Sequence, residues 1–321
     1  VDTAARYRTF AAVEARGKCD LYDTVCHRIA DDPALLALID HLPEERRQPN
    51  LVLAAVRYLG VSTADPDAFV AELHRQWPRI EALARSRRTQ TNEPARTATL
   101  LPILAGLPQP LALIEVGASA GLCLYPDRYS YRYEDRPRID PDDGPSEVLL
   151  TCRTTGDVPI PSAVPAVAVR AGIDLNPLNV ADDDDVRWLE SLVWPGQPER
   201  RDRLRAALRI ARRAPAVIHA GDLLERIERV VRGAVETTET VVVFHSAVLS
   251  YLPAAARSEF VRVIRELPCR WIANEGPGVL GLPIPPAGGS AGARFVLSLD
   301  GVPLARTDPH GESIDWLPVR S

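Results

Sequence analysis

The sequence predicts an α/β protein built on a doubly wound, mostly parallel sheet and preceded by an all-helical region. Three observations carry that prediction. Short apolar runs at 111–116, 169–174, 216–219, 240–246 and 270–274 each end in a turn, and all but the last lead directly into helical spacing. Before residue 107 the apolar residues keep helical spacing only, with Pro, Gly and Asn at the breaks. Near the end, 295–299 and 303–307 flank Asp300-Gly301, a hairpin that adds a late antiparallel strand.

In order, Tyr7, Phe10 and Ala11 open a helix that stops at Gly17, and Leu21, Val25 and Ile29 give the next. Leu35, Leu36 and Ile39 make a short helix ending before Pro43, and Leu51 to Leu59 an apolar one opened by Pro49-Asn50. Helices at 67–74 and 78–87 follow, and one beginning near Pro94 carries Ala98, Leu101 and Leu104. Two polar clusters interrupt this region, at 46–50 and 87–93. Both suit interhelical loops with N-caps, and the second also suits a polar wall facing whatever the next strand binds.

The strand at 111–116 breaks into Gly117-Ala118-Ser119-Ala120-Gly121, and Pro126 keeps any helix after it short. Residues 125–168 read as a β-rich insertion: an aromatic and charged segment, a turn at 140–145, then strands at 148–150 and 167–169. The second core strand ends in Gly172-Ile173-Asp174-Leu175-Asn176-Pro177, and Asp182-Asp183-Asp184-Asp185 opens a helix. Four consecutive acids do not face one another on a helix, whereas the helix dipole favours them there, so they read as a cap rather than a metal site. Helices at 199–213, 223–231 and 254–267 alternate with the remaining strands, and the Gly/Pro stretch 276–292 reads as a mobile loop.

These elements divide the chain into a helical region, 1–107, that covers a substrate, and a sheet domain, 108–321. Hydrophobic residues at 46% and charged ones at 25% are those of a globular protein, and a net charge of −5 offers no global case for nucleic acid or an anionic membrane. Five scattered cysteines without a CxxC pair point to a reducing compartment, with no disulfide framework or thiolate metal site. No apolar run approaches the roughly 20 residues that span a bilayer, and 1–7 lack a signal-peptide core, so a cytoplasmic location is expected. The sequence carries no sign of oligomeric state.

In an open α/β sheet, ligands bind at the carboxyl ends of the strands. Those ends carry Glu115, Asp174, Asp222, His245 and Asn274-Glu275. Two chemistries fit the first turn. As Gly-x-Ser-x-Gly it is a nucleophile elbow presenting Ser119, with triads Ser119–Asp222–His245 or Ser119–Asp222–His310 in the required order. An elbow serine normally follows strands that supply its oxyanion hole, and here only helices precede it. As Glu-x-Gly-x-x-x-Gly it is a nucleotide-binding turn, and acids at the following strand ends suit ribose hydroxyls. Gly-x-Gly-x-x-Gly and a phosphate-cradling Gly-Lys loop are both missing, which argues against NAD and nucleoside triphosphates.

The turn 115–121 and the element 172–177 resemble motifs of the class I S-adenosylmethionine-dependent methyltransferases, which implies a Rossmann-like fold and S-adenosylmethionine as cofactor. The resemblance would put Glu115, Gly117, Ala118, Ser119 and Gly121 against the amino-acid part of that cofactor and Asp174, Leu175 and Asn176 at its ribose. It would put Gly221, Asp222 and Leu223 by the adenine and His245 and Ser246 beside the methyl donor. His245 is then the first candidate base and Glu275 the second, with Arg88, Gln90, Asn92, Tyr125, Arg128, Tyr129 and Asn274 around a small-molecule acceptor. Two departures stand out: 53 residues separate Gly121 from Asp174, against about 20 in the dinucleotide-binding pattern, and the Asn/Asp-Pro-Pro-Tyr/Phe motif of amino-group methylating enzymes is missing. The whole chain also resembles an uncharacterised bacterial family, in stretches 87–93, 115–121, 173–177 and 274–278, without an assigned substrate. The expectation is a methyltransferase acting on a small molecule. The alternatives are a non-catalytic protein binding a nucleotide-like ligand on the same fold and a serine hydrolase using Ser119.

Overall fold

A computed structural model describes residues 2–90, 92–283 and 294–318. The helices are α1 (Thr3–Phe10), α2 (Asp20–Ala30), α3 (Pro33–Asp40), α4 (Pro49–Tyr58), α5 (Pro66–Arg75), α6 (Trp77–Ser86), α7 (Thr97–Leu104), α8 (Asp183–Leu192), α9 (Pro198–Arg213), α10 (Leu223–Val235) and α11 (Ala254–Glu266). The strands are β1 (Leu111–Val116), β2 (Ser130–Tyr133), β3 (Leu149–Thr155), β4 (Val167–Asp174), β5 (Val217–Ala220), β6 (Thr240–Ser246), β7 (Arg270–Glu275), β8 (Phe295–Leu299), β9 (Val302–Thr307) and β10 (Ser313–Trp316). They fall into two compact units, Val1–Thr91 with Asp182–Asp202 and Asn92–Ala181 with Arg203–Ser321. Residues 92–107, expected in the helical region, belong to the second unit, and α8 belongs to the first.

In the first unit, Asp-Pro pairs set the helix starts. Asp32 accepts the amides of Ala34 and Leu35, and Asp65 that of Asp67, each with proline at the first helical position. Helix α4 is buried from Leu51 to Val56 without a break, as a central helix must be. Phe10, Tyr22 and Trp194 pack with ring centroids 5.5 and 5.7 Å apart, and the Trp194 indole donates to Asn50 at 2.9 Å. The acid run behaves as a cap: Asp182 accepts the amide of Asp184 at 2.8 Å. Asp184 and Asp185 also pair with Arg87. Among the described residues no group of three or more His, Cys, Asp or Glu is placed to hold a metal ion.

The second unit is a mixed α/β, Rossmann-like fold on a ten-stranded sheet in the order β2-β3-β10-β9-β8-β7-β6-β1-β4-β5. From β5 to β7 every pairing is parallel, and β7-β8-β9-β10 is one antiparallel stretch. Strand β1 is central, with Leu111–Val116 opposite Thr240–His245 of β6. Val243, Phe260, Ile264, Ile227 and Val231 build the core that seats α10 and α11 on these strands. Residues 167–169, expected in the insertion, begin β4 instead and continue into the core strand. The insertion carries β2 and β3 to the far edge of the sheet, where β3 pairs with β10. That last strand has no counterpart in the sequence reading, because four residues of mixed polarity show no period. The glycine turn is followed by two 3₁₀ turns, Leu122–Leu124 and Pro126–Arg128, as Pro126 requires. Of the stretch 276–292 expected to be a mobile loop, 284–292 lie outside the described residues.

Candidate functional site

The parallel strands run 3-2-1-4-5 in their chain order, so the winding reverses between β1 and β6. In such sheets the crevice at the carboxyl ends of the reversing strands is the binding place. Both strands end here in backbone that resists side chains. Ser119 after β1 has φ +52° and Ala247 after β6 has φ +60°, left-handed values costly for residues other than glycine.

The turn is held from below. Gly117 and Ala118 donate their amides to the Ile173 carbonyl at 2.8 and 3.2 Å, and Leu122 donates to Asn92 Oδ1 at 3.1 Å. Asp174 clamps the two loops together: Oδ2 accepts the Ser119 amide at 2.8 Å and Oδ1 the Asn176 amide at 2.7 Å. Gly117 itself is exposed, with φ +70°, and a Cβ there would lie 2.5 Å from Val248 Cγ2. Beside the clamp Leu175 is 66% exposed, which leaves an apolar surface open next to a carboxylate.

Under the turn Glu115 Oε2 is sealed from solvent, and among the described residues it has no hydrogen bond of ordinary geometry. Burial pushes this carboxyl well above its ordinary range; the Arg96 guanidinium and the Cys123 thiol oppose the rise and the nearby Asp174 charge adds to it. Arg96, 8% exposed, donates to the Pro309 carbonyl at 2.9 Å and the Ser246 carbonyl at 3.0 Å. It ties the end of β6 to a distant loop. Sequence reasoning missed it, since nothing local marks one arginine among so many.

His245 is fully buried with both ring nitrogens engaged, Nδ1 to Glu275 Oε1 at 2.6 Å and Nε2 to the Trp271 indole N–H at 2.9 Å. No lone pair remains to take a proton from an acceptor, so the ring positions structure. This corrects the expectation of an accessible base. Asn274 is likewise interior: its Oδ1 accepts the Thr307 hydroxyl at 2.7 Å and its amide donates to Ser246 Oγ at 3.2 Å. Gly221 donates its amide to the Asp174 carbonyl at 3.0 Å, and Asp222 caps α10 through the Leu224 amide, leaving Leu223 packed beneath.

The expected acceptor residues disperse. Tyr125 and Tyr129 are buried, donating their hydroxyls to the Ala214 and Leu122 carbonyls at 2.8 and 2.6 Å, so they build the interior instead of covering a ligand. Arg128 lies at the surface between Asp127 and Asp143. Arg88 and Gln90 belong to the helical unit, where the Arg88 carbonyl accepts the Trp188 indole. Asn92 touches the turn, accepting the Leu122 amide at 3.1 Å. Ser119 Oγ is sealed and has no hydrogen-bond partner among the described residues, and His245 is committed elsewhere. A nucleophilic serine needs a base within reach, so the geometry does not support the Ser119–Asp222–His245 triad.

The described residues contain no helix long and apolar enough to cross a membrane. Residues 4–316 match the profile of a family described as an uncharacterized protein conserved in bacteria (DUF2332). No curated protein and no solved structure matches the chain.

Proposed function

The chain belongs to this bacterial family, whose description names no activity, and we propose from the site itself that it binds S-adenosylmethionine and transfers its methyl group to a small-molecule acceptor. The observation that carries the reading is the Asp174 clamp. A carboxylate has about four lone-pair sites; two are used by the amides of Ser119 and Asn176. Two remain, and Gly117 and Leu175, the neighbours of this clamp in the two loops, are exposed. An acid at this strand end suits a ribose diol, and the apolar Leu175 side chain suits a flat base. The residues present therefore fit the group. Gly117, Ser119, Asp174 and Leu175 would hold it, and it would supply a sulfonium-activated methyl group.

What this chain contributes to the chemistry is position. His245 and Glu275, the two candidate bases, are committed to each other. Rate enhancement would come from holding donor and acceptor in line. The free, mostly buried cysteines suit a reducing cytoplasm as the place of action. The same sealed pair favours a second reading, a protein that binds the ligand and does no chemistry.

Calorimetric titration with S-adenosylmethionine and S-adenosylhomocysteine tests both. Asp174→Ala is expected to weaken binding about tenfold or more, roughly 1.4 kcal/mol, with its melting curve recorded in parallel because two amides lose their acceptor. No heat at millimolar ligand, or unchanged affinity in Asp174→Ala, sinks the cofactor assignment. Binding without turnover across a library of small acceptors selects the second reading.

A further inference from the structure

Strand β5 is the outer edge of the sheet and pairs with β4 alone. Val217 stands beside Ala171 and His219 beside Ile173, and paired residues of neighbouring strands point to the same face. Ala171 and Ile173 pack in one core with Leu223 and Ile227 of α10, so this face is the one α10 covers. Val217 on it is 61% exposed. On α10 itself Arg226 and Arg229 fall three residues apart, on a stripe beside the buried one through Leu223, Ile227 and Val230.

Arg226 is drawn in over the end of β5. A Cβ on Gly221, whose φ is +133°, would lie 2.8 Å from Arg226 Nε and 3.3 Å from Nη2. A residue without a side chain leaves that space to the guanidinium. Nε is sealed there and has no hydrogen-bond partner among the described residues. Arg226 as a whole is only half-buried and Arg229 is exposed, so both groups are within reach of a solute. Burial and the charges of Arg229 and Arg226 push the His219 imidazole below its ordinary value, which sets both guanidinium groups beside β5.

Both arginine charges are permanent, since a guanidinium keeps its proton in proteins. Among the described residues neither guanidinium has an ion pair or a hydrogen-bond partner. The acids of α10 are engaged elsewhere or turned outward: Asp222 accepts the Leu224 amide at 2.8 Å, Glu228 pairs with Arg232 at 2.9 Å, and Glu225 is exposed. We propose that this edge binds a phosphate group, held by the Arg226 and Arg229 guanidinium groups above His219. Two fixed positive charges match a phosphate dianion, and the end of each guanidinium presents parallel N–H bonds to its oxygens. A ligand with an apolar body would rest it on Val217. The site does not rest on the cofactor reading, because S-adenosylmethionine carries no phosphate and the test uses none of it.

Phosphorus NMR titrations of the whole chain, at constant ionic strength and about pH 8 where the dianion prevails, provide that test. Inorganic phosphate is expected to bind with a millimolar or tighter Kd. Arg226→Gln and Arg229→Gln are each expected to weaken it about tenfold or more. Arg229 is exposed, so Arg229→Gln decides the matter should Arg226→Gln fail to fold. Phenyl phosphate separates two sources of the group. Binding about tenfold tighter than inorganic phosphate, with the gain lost in Val217→Ser, keeps the site and assigns it to a phosphate ester with an apolar body. Equal affinity keeps the site and assigns it to free phosphate. No binding of either at millimolar concentration, or affinities unchanged in Arg229→Gln, overturns the proposal.

Discussion

Glu115 on β1 and Glu275 on β7, two strands apart in the sheet, both have a carboxyl oxygen sealed from solvent, and their surroundings move them in opposite directions. Burial raises Glu275, but the hydrogen bond and charge of His245 and the Leu249 and Val248 amides outweigh it, so its folded value is depressed. Its contribution is present above the unfolded value near 4.3 and is lost as pH falls through the folded one. Glu115 loses water, and the charge of Arg96 and the thiol of Cys123 oppose that rise without cancelling it, so its folded value is raised. Its native state keeps a proton that the unfolded chain releases, and the stability tied to that proton is lost as pH rises above about 4.3. Glu115→Gln is therefore expected to be more stable than the wild type by about 1–3 kcal/mol at pH 8, and to lose that advantage at pH 4. Urea melts at the two values check it; an advantage independent of pH contradicts the assignment. Both acids were legible in the sequence as strand ends. Their depth was not, because burial depends on Arg96, Cys123 and His245, which arrive from other parts of the chain.

At the scale of elements, small residues and caps decide the local shapes. Gly172 of β4 leaves room for the first turn: a Cβ there would lie 2.5 Å from that of Ala118 and 2.8 Å from Ile218 Cδ1. The sequence marked Gly117 and Gly121 as turn glycines, and their φ of +70° and +71° agree. It showed Gly172 only as part of the element 172–177, with no packing role, because its φ is ordinary and its need is set by Ala118 and Ile218 of neighbouring segments. The acid run was legible as a cap, since capping is local chemistry. Asp182→Ala is expected to cost about 1 kcal/mol, visible as a lower melting temperature, and millimolar calcium or magnesium is expected to leave the melts of both proteins unchanged. Stabilisation of the wild type by either cation, lost in the variant, would identify a metal site instead. The aromatic segment 125–133 misled because tyrosine suits either a ligand or a core with carbonyls to satisfy, and the carbonyls of Ala214 and Leu122 decided for the core.

For the molecule as a whole, the most consequential pairing is one that sequence order hides. β10 lies between β9 and β3, so four residues near the end of the chain join the insertion to the main sheet. A chain ending at Thr307 would leave both neighbours with an open edge and would remove the Pro309 carbonyl from Arg96. It is expected to melt more than about 5 °C lower and to aggregate on size exclusion; an unshifted, monodisperse protein would show that β10 is dispensable. By itself the sequence determined the helical first region, the alternation of apolar strands with helices, the hairpin about Asp300-Gly301 and the acids at the strand ends. Each is a matter of local period, turn chemistry or capping, which a few adjacent residues settle. Only the tertiary structure decided that α8 belongs with the first helices, that β2 and β3 cross to the far edge, and that His245 is sealed. Those outcomes depend on packing between residues distant in the chain, such as Trp188 with Tyr58 or His245 with Trp271, and no local pattern records which partner a buried side chain will meet.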